Sequence, residues 1–192
     1  MHSPIIYLLP DSEDFVKMYS DDEDVRANIP DESIIQDAIS ECDWLVADTS
    51  KYESWHRSRW DIEECLKGCG YGTVTPINEN FIRFTLSKED IINYFKEIVK
   101  MNEQFNNATR SYLDNDLLTP YHLDDFDYLK YRELHGDSFG GIQFVELEGD
   151  SCFSIDNLCG MIHTLHLIFS ANKNKTLQDY IVPLNVQGDY HF

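Results

Sequence analysis

The stretch Phe81-Ile82-Arg83-Phe84-Thr85-Leu86-Ser87-Lys88-Glu89-Asp90 passes from a strand pattern into a helix pattern. Ser87 and Asp90 stand at the two positions of a capping box, in which each side chain bonds the other residue's backbone at a helix start. Gly and Pro are absent from Lys88 to Asn107. The apolar residues of this segment follow helical spacing, at Ile91, Ile92, Phe95, Ile98, Val99 and Phe105. The stretch therefore predicts a strand followed by a long amphipathic helix.

Further elements are predicted towards the N-terminus. The apolar run Ile5 to Leu9 ends at Pro10, which predicts a short buried strand that starts the fold centrally. A second buried strand is predicted at Trp44 to Ala47. Helices are predicted at Ser12 to Ser20, Asp31 to Cys42 and Glu53 to Lys67, the last of which stops at a glycine-containing segment.

The C-terminal half alternates between loops, strands and one more helix. Residues 106–120 predict a loop or short helical turns. The apolar residues of 124–134 fit neither the helical spacing nor the alternation of a strand. The segments Ile142 to Glu148 and Cys152 to Ile155 predict a hairpin. Asp156 is expected to cap a second long helix. Residues Tyr180 to Val186 predict an edge strand, because Pro183 lacks an amide hydrogen. These elements predict a single α+β domain over residues 1–192, with a mixed or antiparallel sheet and several packed helices.

The composition indicates a folded chain in a reducing compartment. Of the 192 residues 42% are hydrophobic and 13% aromatic, far from the composition of disordered acidic chains. No run approaches the roughly 20 apolar residues that a membrane span needs, and the N-terminal stretch does not match a secretion signal. The odd number of cysteines at irregular positions, Cys42, Cys65, Cys69, Cys152 and Cys159, predicts free thiols and a cytoplasmic protein.

Charge is the most informative feature of the sequence. Fifteen Lys and Arg against 35 Asp and Glu give a formal net charge of −20. A surface of this charge repels phosphate backbones and anionic membranes, so we expect neither direct nucleic-acid binding nor membrane binding. It favours a basic protein partner instead.

The acidic residues concentrate in two blocks, 11–48 and 114–127. The first block holds thirteen acidic residues against Lys17 and Arg26, and the second has no Lys or Arg. Each block alone is explained by an acidic surface that only faces water. Acidic residues interleaved with tyrosines, however, also suit recognition of a protein partner. The predicted partner-binding residues are Asp21, Asp22, Glu23, Asp24, Asp114, Asp116, Tyr121, Asp124, Asp125, Asp127 and Tyr128.

Motifs for catalysis, cofactors and metals are weak. The sequence contains no nucleophile elbow, HExxH helix, P-loop or GxGxxG turn, so we predict a protein that is not an enzyme and carries no cofactor. Cys65 and Cys69 could join His163 and His166 in a zinc site, but histidines on an apolar helix are more often structural, and no metal is predicted. The run 21–24 lacks the spacing of an EF-hand loop.

Three functions fit these features. The leading hypothesis is a bacterial immunity protein that neutralises a nuclease toxin by covering its active site or substrate groove. One alternative is a nucleic-acid mimic acting against restriction or other defence enzymes. The other is an enzyme with a cleft of carboxylates, acting with or without a bound metal ion. The first two exploit the charge to compete for a cationic cleft, and the third would hold an ion or substrate among the acids.

Overall fold

A computed structural model of the chain describes residues 2–11, 60–114, 126–136, 141–147 and 153–191. These residues form a mixed sheet with four helices packed on it, which confirms the predicted α+β class. The strands are β1 (His2–Pro10), β2 (Thr73–Pro76), β3 (Phe81–Ser87), β4 (Gln143–Leu147), β5 (Phe153–Asn157), β6 (Leu177–Pro183) and β7 (Gln187–His191). The helices are α1 (Ile62–Gly68), α2 (Lys88–Asp114), α3 (Tyr128–Leu134) and α4 (Leu158–Ala171).

Strand β1 is the centre of the sheet, as its apolar run predicts. The strand order is β2-β3-β6-β1-β4-β5, with β7 also paired to β1. β1 runs parallel to β4, whereas every other pairing among the described strands is antiparallel. Because β4 and β7 both pair with Ile5 and Ile6, they occupy opposite edges of β1. β6 completes the second edge at Leu9 and Pro10.

The helices pack on one face of this sheet. Ile6 and Leu8 of β1 point to that face and join Phe84 and Phe144, whose rings stack with centroids 6.5 Å apart. The helices contribute Ile62, Leu66, Ile91, Tyr94, Met101, Leu134, Met161, Ile162, Leu165 and Phe169 to the same core. Burial of these side chains stabilises the fold by roughly 1.5–3 kcal/mol for each large one.

The capping box predicted from the sequence is present at the start of α2. The Ser87 amide and hydroxyl donate to the Asp90 carboxylate at 2.8 and 2.6 Å, and the Asp90 amide donates to Ser87 Oγ at 3.1 Å. The local signals for this boundary were therefore sufficient. The strand at β3 and the pairing of β4 with β5 are confirmed as well.

Two helix starts differ from the predicted ones. α1 begins at Ile62, inside the predicted range, because the Asp61 side chain accepts a hydrogen bond from the Glu64 amide at 2.9 Å and caps the helix there. Residues 53–59 of the predicted helix lie outside the described residues. α4 is capped by Asn157, which accepts from the Gly160 amide, and not by Asp156.

The end of α2 also differs from the prediction. The helix continues to Asp114, so the predicted loop is wrong for residues 106–114. The ring of Phe105 stacks on Tyr131, with centroids 4.8 Å apart, and contacts Phe126. These contacts with α3 anchor the second half of α2 despite its polar composition, since tertiary packing overrides weak helix propensity.

The predicted C-terminal edge strand is an interior strand. β6 pairs with β3 along its length and with β1 at Tyr180 and Ile181, and Pro183 ends it. β2 and β7 were not predicted. The predicted elements Ser12 to Ser20, Asp31 to Cys42 and Trp44 to Ala47 lie outside the described residues.

Candidate functional site

The predicted partner-binding residues that the structure describes lie at the ends of two helices. Asp114 is the exposed last residue of α2. Asp127 is the exposed N-cap of α3, where its carboxylate accepts from the Lys130 amide at 2.9 Å. Tyr128 is the half-buried first residue of α3. The remaining predicted residues, Asp21, Asp22, Glu23, Asp24, Asp116, Tyr121, Asp124 and Asp125, lie outside the described residues.

Aromatic rings surround the start of α3. Phe126, Tyr128 and Tyr131 lie with ring centroids 5.7 to 6.4 Å apart, and Phe105 of α2 packs against the first and third of them. The Arg132 guanidinium lies 5.9 Å from the Tyr128 ring centroid, within range of a cation–π contact. The described part of the second acidic block therefore adjoins a rigid aromatic surface.

A polar pocket of about 780 Å³ opens beside this surface. It lies between the C-terminal end of α1, the middle of α2, the helix α3 and the start of α4. Its volume is within the range of ligand-binding pockets. Among the described residues, its charged lining is acidic in balance, with the carboxylates of Glu97, Asp127 and Glu133 against the ammonium of Lys130. Asp127 therefore belongs both to the predicted contact surface and to the pocket.

The Glu97 carboxylate is the best-anchored charge in the pocket. Lys130 Nζ lies 3.0 Å from Glu97 Oε1, and Lys100 Nζ lies 3.6 Å from the same oxygen. The hydrogen bond from Lys130 lowers the pKa of Glu97 below its ordinary range. Glu97 is therefore ionised at neutral pH and is held towards α3.

Two tyrosines form an aromatic wall of the pocket. The rings of Tyr71 and Tyr94 meet edge to face with centroids 5.3 Å apart. Tyr94 is buried and its hydroxyl donates to the Leu134 carbonyl at 2.6 Å, which fixes α2 to the end of α3. Burial is the main cause that raises the pKa of Tyr94, with a hydrogen bond to Cys159 as the next cause. Both tyrosines are therefore neutral donors near pH 7.

Three half-buried free thiols line the pocket, those of Cys65, Cys69 and Cys159. Burial raises the pKa of the Cys69 thiol to about 12, and the neighbouring Cys65 and the charge of Glu133 add to the effect. Burial also raises the pKa of Cys65. A thiol must ionise to act as a nucleophile, so both are poor nucleophiles at neutral pH.

The four residues considered for a zinc site do not form one cluster. Cys65 and Cys69 line the polar pocket, whereas His163 and His166 contact the ring of Phe95, each with centroids 5.2 Å apart. In the described ranges, no three His, Cys, Asp or Glu side chains are grouped so as to hold a metal ion. No described helix is both long and apolar enough to cross a membrane.

Most of the net charge lies outside the described residues. The described ranges contain 10 Lys and Arg and 16 Asp and Glu, a balance of −6, so the other residues carry −14 of the total of −20. The described surface is thus close to ordinary in charge. Most of the Asp and Glu residues outside the described ranges lie in segments 12–59 and 115–125.

The comparisons with known proteins bring no relative. No protein-family model, no curated protein and no solved structure matches the chain.

Proposed function

We propose that this chain is an acidic cytoplasmic binding protein that neutralises a basic protein, namely a bacterial immunity protein that inhibits a nuclease toxin. The observation that carries the proposal is the polar pocket beside the aromatic surface of α3. It places the carboxylates of Glu97, Asp127 and Glu133 next to tyrosine rings, in a chain of net charge −20.

Such a pocket suits an arginine or lysine side chain from a partner. Carboxylates accept the charged hydrogen bonds of a guanidinium or ammonium group, and the ring of the half-buried Tyr71 attracts cations. The pocket already holds one cation in this manner, because the Lys130 ammonium bonds to Glu97. A partner's cation would share or replace that contact. An inserted basic side chain is a common anchor of tight protein interfaces.

The acid outside the described residues supports a different part of the same function. Residues 115–125 connect α2 to α3 and contain Asp116, Asp124 and Asp125, with no Lys or Arg. Charges at the rim of an interface mainly raise the association rate, whereas buried contacts determine the dissociation rate. We therefore expect the acidic segments to attract a cationic nuclease and the pocket to retain it.

The test compares two charge-matched double variants. Glu97→Gln with Glu133→Gln removes two pocket carboxylates. Glu89→Gln with Glu103→Gln removes two exposed carboxylates of α2 that do not line the pocket. Wild type and both variants are immobilised and exposed at low salt to extract of the native host, and the captured proteins are identified by mass spectrometry.

We expect the wild-type chain to capture a cationic nuclease and to inhibit the purified nuclease at a one-to-one ratio. Loss of two partly exposed charge contacts should weaken the pocket variant roughly tenfold, and the matched control should stay within about twofold. Capture of no cationic nuclease by folded wild-type protein would contradict the proposed function. Equal weakening of the two variants would contradict the assignment of the pocket.

A further inference from the structure

A second concavity lies on the opposite face of α2, between that helix and α4. It encloses about 760 Å³ and is lined by Lys88, Ile91, Ile92, Phe95, Lys96, Val99, His166, Phe169, Ser170 and Lys173. We call it the lysine groove. Its floor includes the buried side chains of Ile91 and Phe169. Ile92 and Val99 on its side are 45% and 57% exposed, so the groove presents apolar surface to solvent.

Among the described residues, the charged lining of the lysine groove is basic. Three lysines line it and no described Asp or Glu does, although acids outnumber bases by 35 to 15 in the chain. Within the described ranges, Lys67, Lys100 and Lys130 each form an ion pair, whereas none of the three groove lysines does. Among the described residues, the Lys96 ammonium contacts an amide oxygen, Asn93 Oδ1, at 3.4 Å.

The lysines are placed at one end and along one side of the apolar surface. The Lys88 amide donates to the Thr176 carbonyl at 2.8 Å, which brings the start of α2 beside the segment that follows α4 and carries Lys173. From Lys88 to Val99 the helix rises about 16 Å. The groove therefore has Lys88 and Lys173 at one end and apolar side chains along the rest of its length, with Lys96 partway along.

We propose that the lysine groove binds a free long-chain fatty acid, with the carboxylate at Lys88 and Lys173 and the alkyl tail along Ile92, Phe95 and Val99. Mostly apolar pockets of this volume with a few convergent polar groups are typical of small-ligand sites. The site is independent of the proposed inhibitor function, since the polar pocket uses a different face of α2.

The charge of the whole chain selects this ligand class over larger anions. A net charge of −20 repels an acidic protein or an anionic bilayer at distances up to about one Debye length, roughly 8–10 Å. A single carboxylate meets the least repulsion and gains the local attraction of the three groove lysines. An apolar tail supplies further affinity by covering the exposed surface of Ile92 and Val99.

The experiment titrates the fluorescent fatty acid cis-parinaric acid, and its neutral methyl ester, into wild-type protein and three variants. One variant carries Lys88→Gln, Lys96→Gln and Lys173→Gln. Its charge-matched control carries Lys67→Gln, Lys100→Gln and Lys175→Gln, which lie outside the groove lining. The third variant, Ile92→Glu with Val99→Glu, places charge on the tail surface at two exposed positions. Circular dichroism confirms that each variant is folded.

We expect saturable binding of one parinarate per wild-type chain. The groove-lysine variant should bind roughly tenfold more weakly, the control within about twofold, and the methyl ester should not distinguish them. The Ile92→Glu, Val99→Glu variant should lose binding. Equal affinity of the groove-lysine variant and its control would overturn the proposal, as would absence of saturable binding to wild type. A dimer that I92E/V99E disrupts, without parinarate binding, would assign the groove to a second copy and would also overturn it.

Discussion

The two faces of α2 carry opposite chemistry. One face supplies Asn93, Tyr94 and Glu97 to a polar pocket whose charge is negative in balance. The other face supplies Lys88, Lys96 and a series of apolar residues to a groove whose charged lining, among the described residues, is positive. The comparison shows that the charge of a whole chain does not describe its binding surfaces. A strongly acidic protein can expose one site for cations and another for anions, separated by the width of one helix.

The two sites also differ in how deeply they reach into the core, and the largest predicted effect follows from this. Phe169 lines the lysine groove but is only 3% exposed. Phe169→Ala should therefore lower the free energy of unfolding by about 3–5 kcal/mol, measured by urea denaturation. Leu167→Ala, on the same helix but 68% exposed, should change it by less than about 0.5 kcal/mol. Similar losses in the two variants would show that the groove floor is not part of the core.

The polar pocket depends on a buried hydrogen bond rather than on apolar volume. Tyr94→Phe keeps the ring but leaves the Leu134 carbonyl without its 2.6 Å donor, so we expect a loss of about 1–2 kcal/mol. Tyr131→Phe is the matched control, because within the described residues its hydroxyl makes no hydrogen bond. If chemical denaturation gave both variants wild-type stability, the hydroxyl of Tyr94 would not hold α2 to α3.

Asp127 combines a structural role with the predicted binding role, and two substitutions separate them. Asp127→Ala removes the N-cap of α3 and should cost about 1 kcal/mol of stability. Asp127→Asn keeps the capping oxygen and should stay within a few tenths of a kcal/mol while removing the charge. The difference in thermal stability between the two variants measures what the capping oxygen contributes to stability. Equal destabilisation by both substitutions would mean that the charge, and not the cap, stabilises α3.

The smallest predicted effect is a pH dependence. Lys130 lowers the pKa of Glu97 in the folded chain from its ordinary value of 4.5. The ion pair therefore stabilises the fold above that value, and its contribution is lost as pH falls below 4.5 towards the folded pKa. Lys130→Gln should make the decline in stability across this acid range shallower than in wild type. Lys175→Gln, whose lysine bonds to Gln178 and to no carboxylate of the described residues, should leave the decline unchanged. Identical acid profiles for wild type and Lys130→Gln would contradict the pairing.

Local sequence signals predicted the parts of the fold that depend on local interactions. The apolar run of β1, the strand β3 and the capping box of Ser87 and Asp90 are each readable from a few neighbouring residues. The length of α2 was not, because Phe105 of its second half is held by rings that come more than twenty residues later. β6 was misassigned because Pro183 suggested an edge, whereas it ends a strand that has neighbours on both sides.

The candidate sites were harder to predict than the fold. The acid of the second block indicated Asp127 and Tyr128, but the pocket beside them unites Tyr71, Glu97, Lys130 and Cys159 from separate elements. Tyr94 and Glu97, three residues apart and so on one face of α2, were the available signal. The sequence placed Ile91, Ile92 and Val99 in one apolar stripe. The structure divides that stripe, since Ile91 is buried whereas Ile92 and Val99 are exposed, and the groove follows from this division.

The central claim is that one helix separates a cation site from an anion site. The most direct test is a pair of amide NMR titrations of the same labelled protein, one with an oligo-arginine peptide and one with laurate. We predict that the peptide shifts resonances of Asn93, Glu97 and α3, and that laurate shifts those of Ile92, Lys96 and Val99, without competition between the two ligands. Shifts confined to one common face, or mutual displacement, would contradict the account.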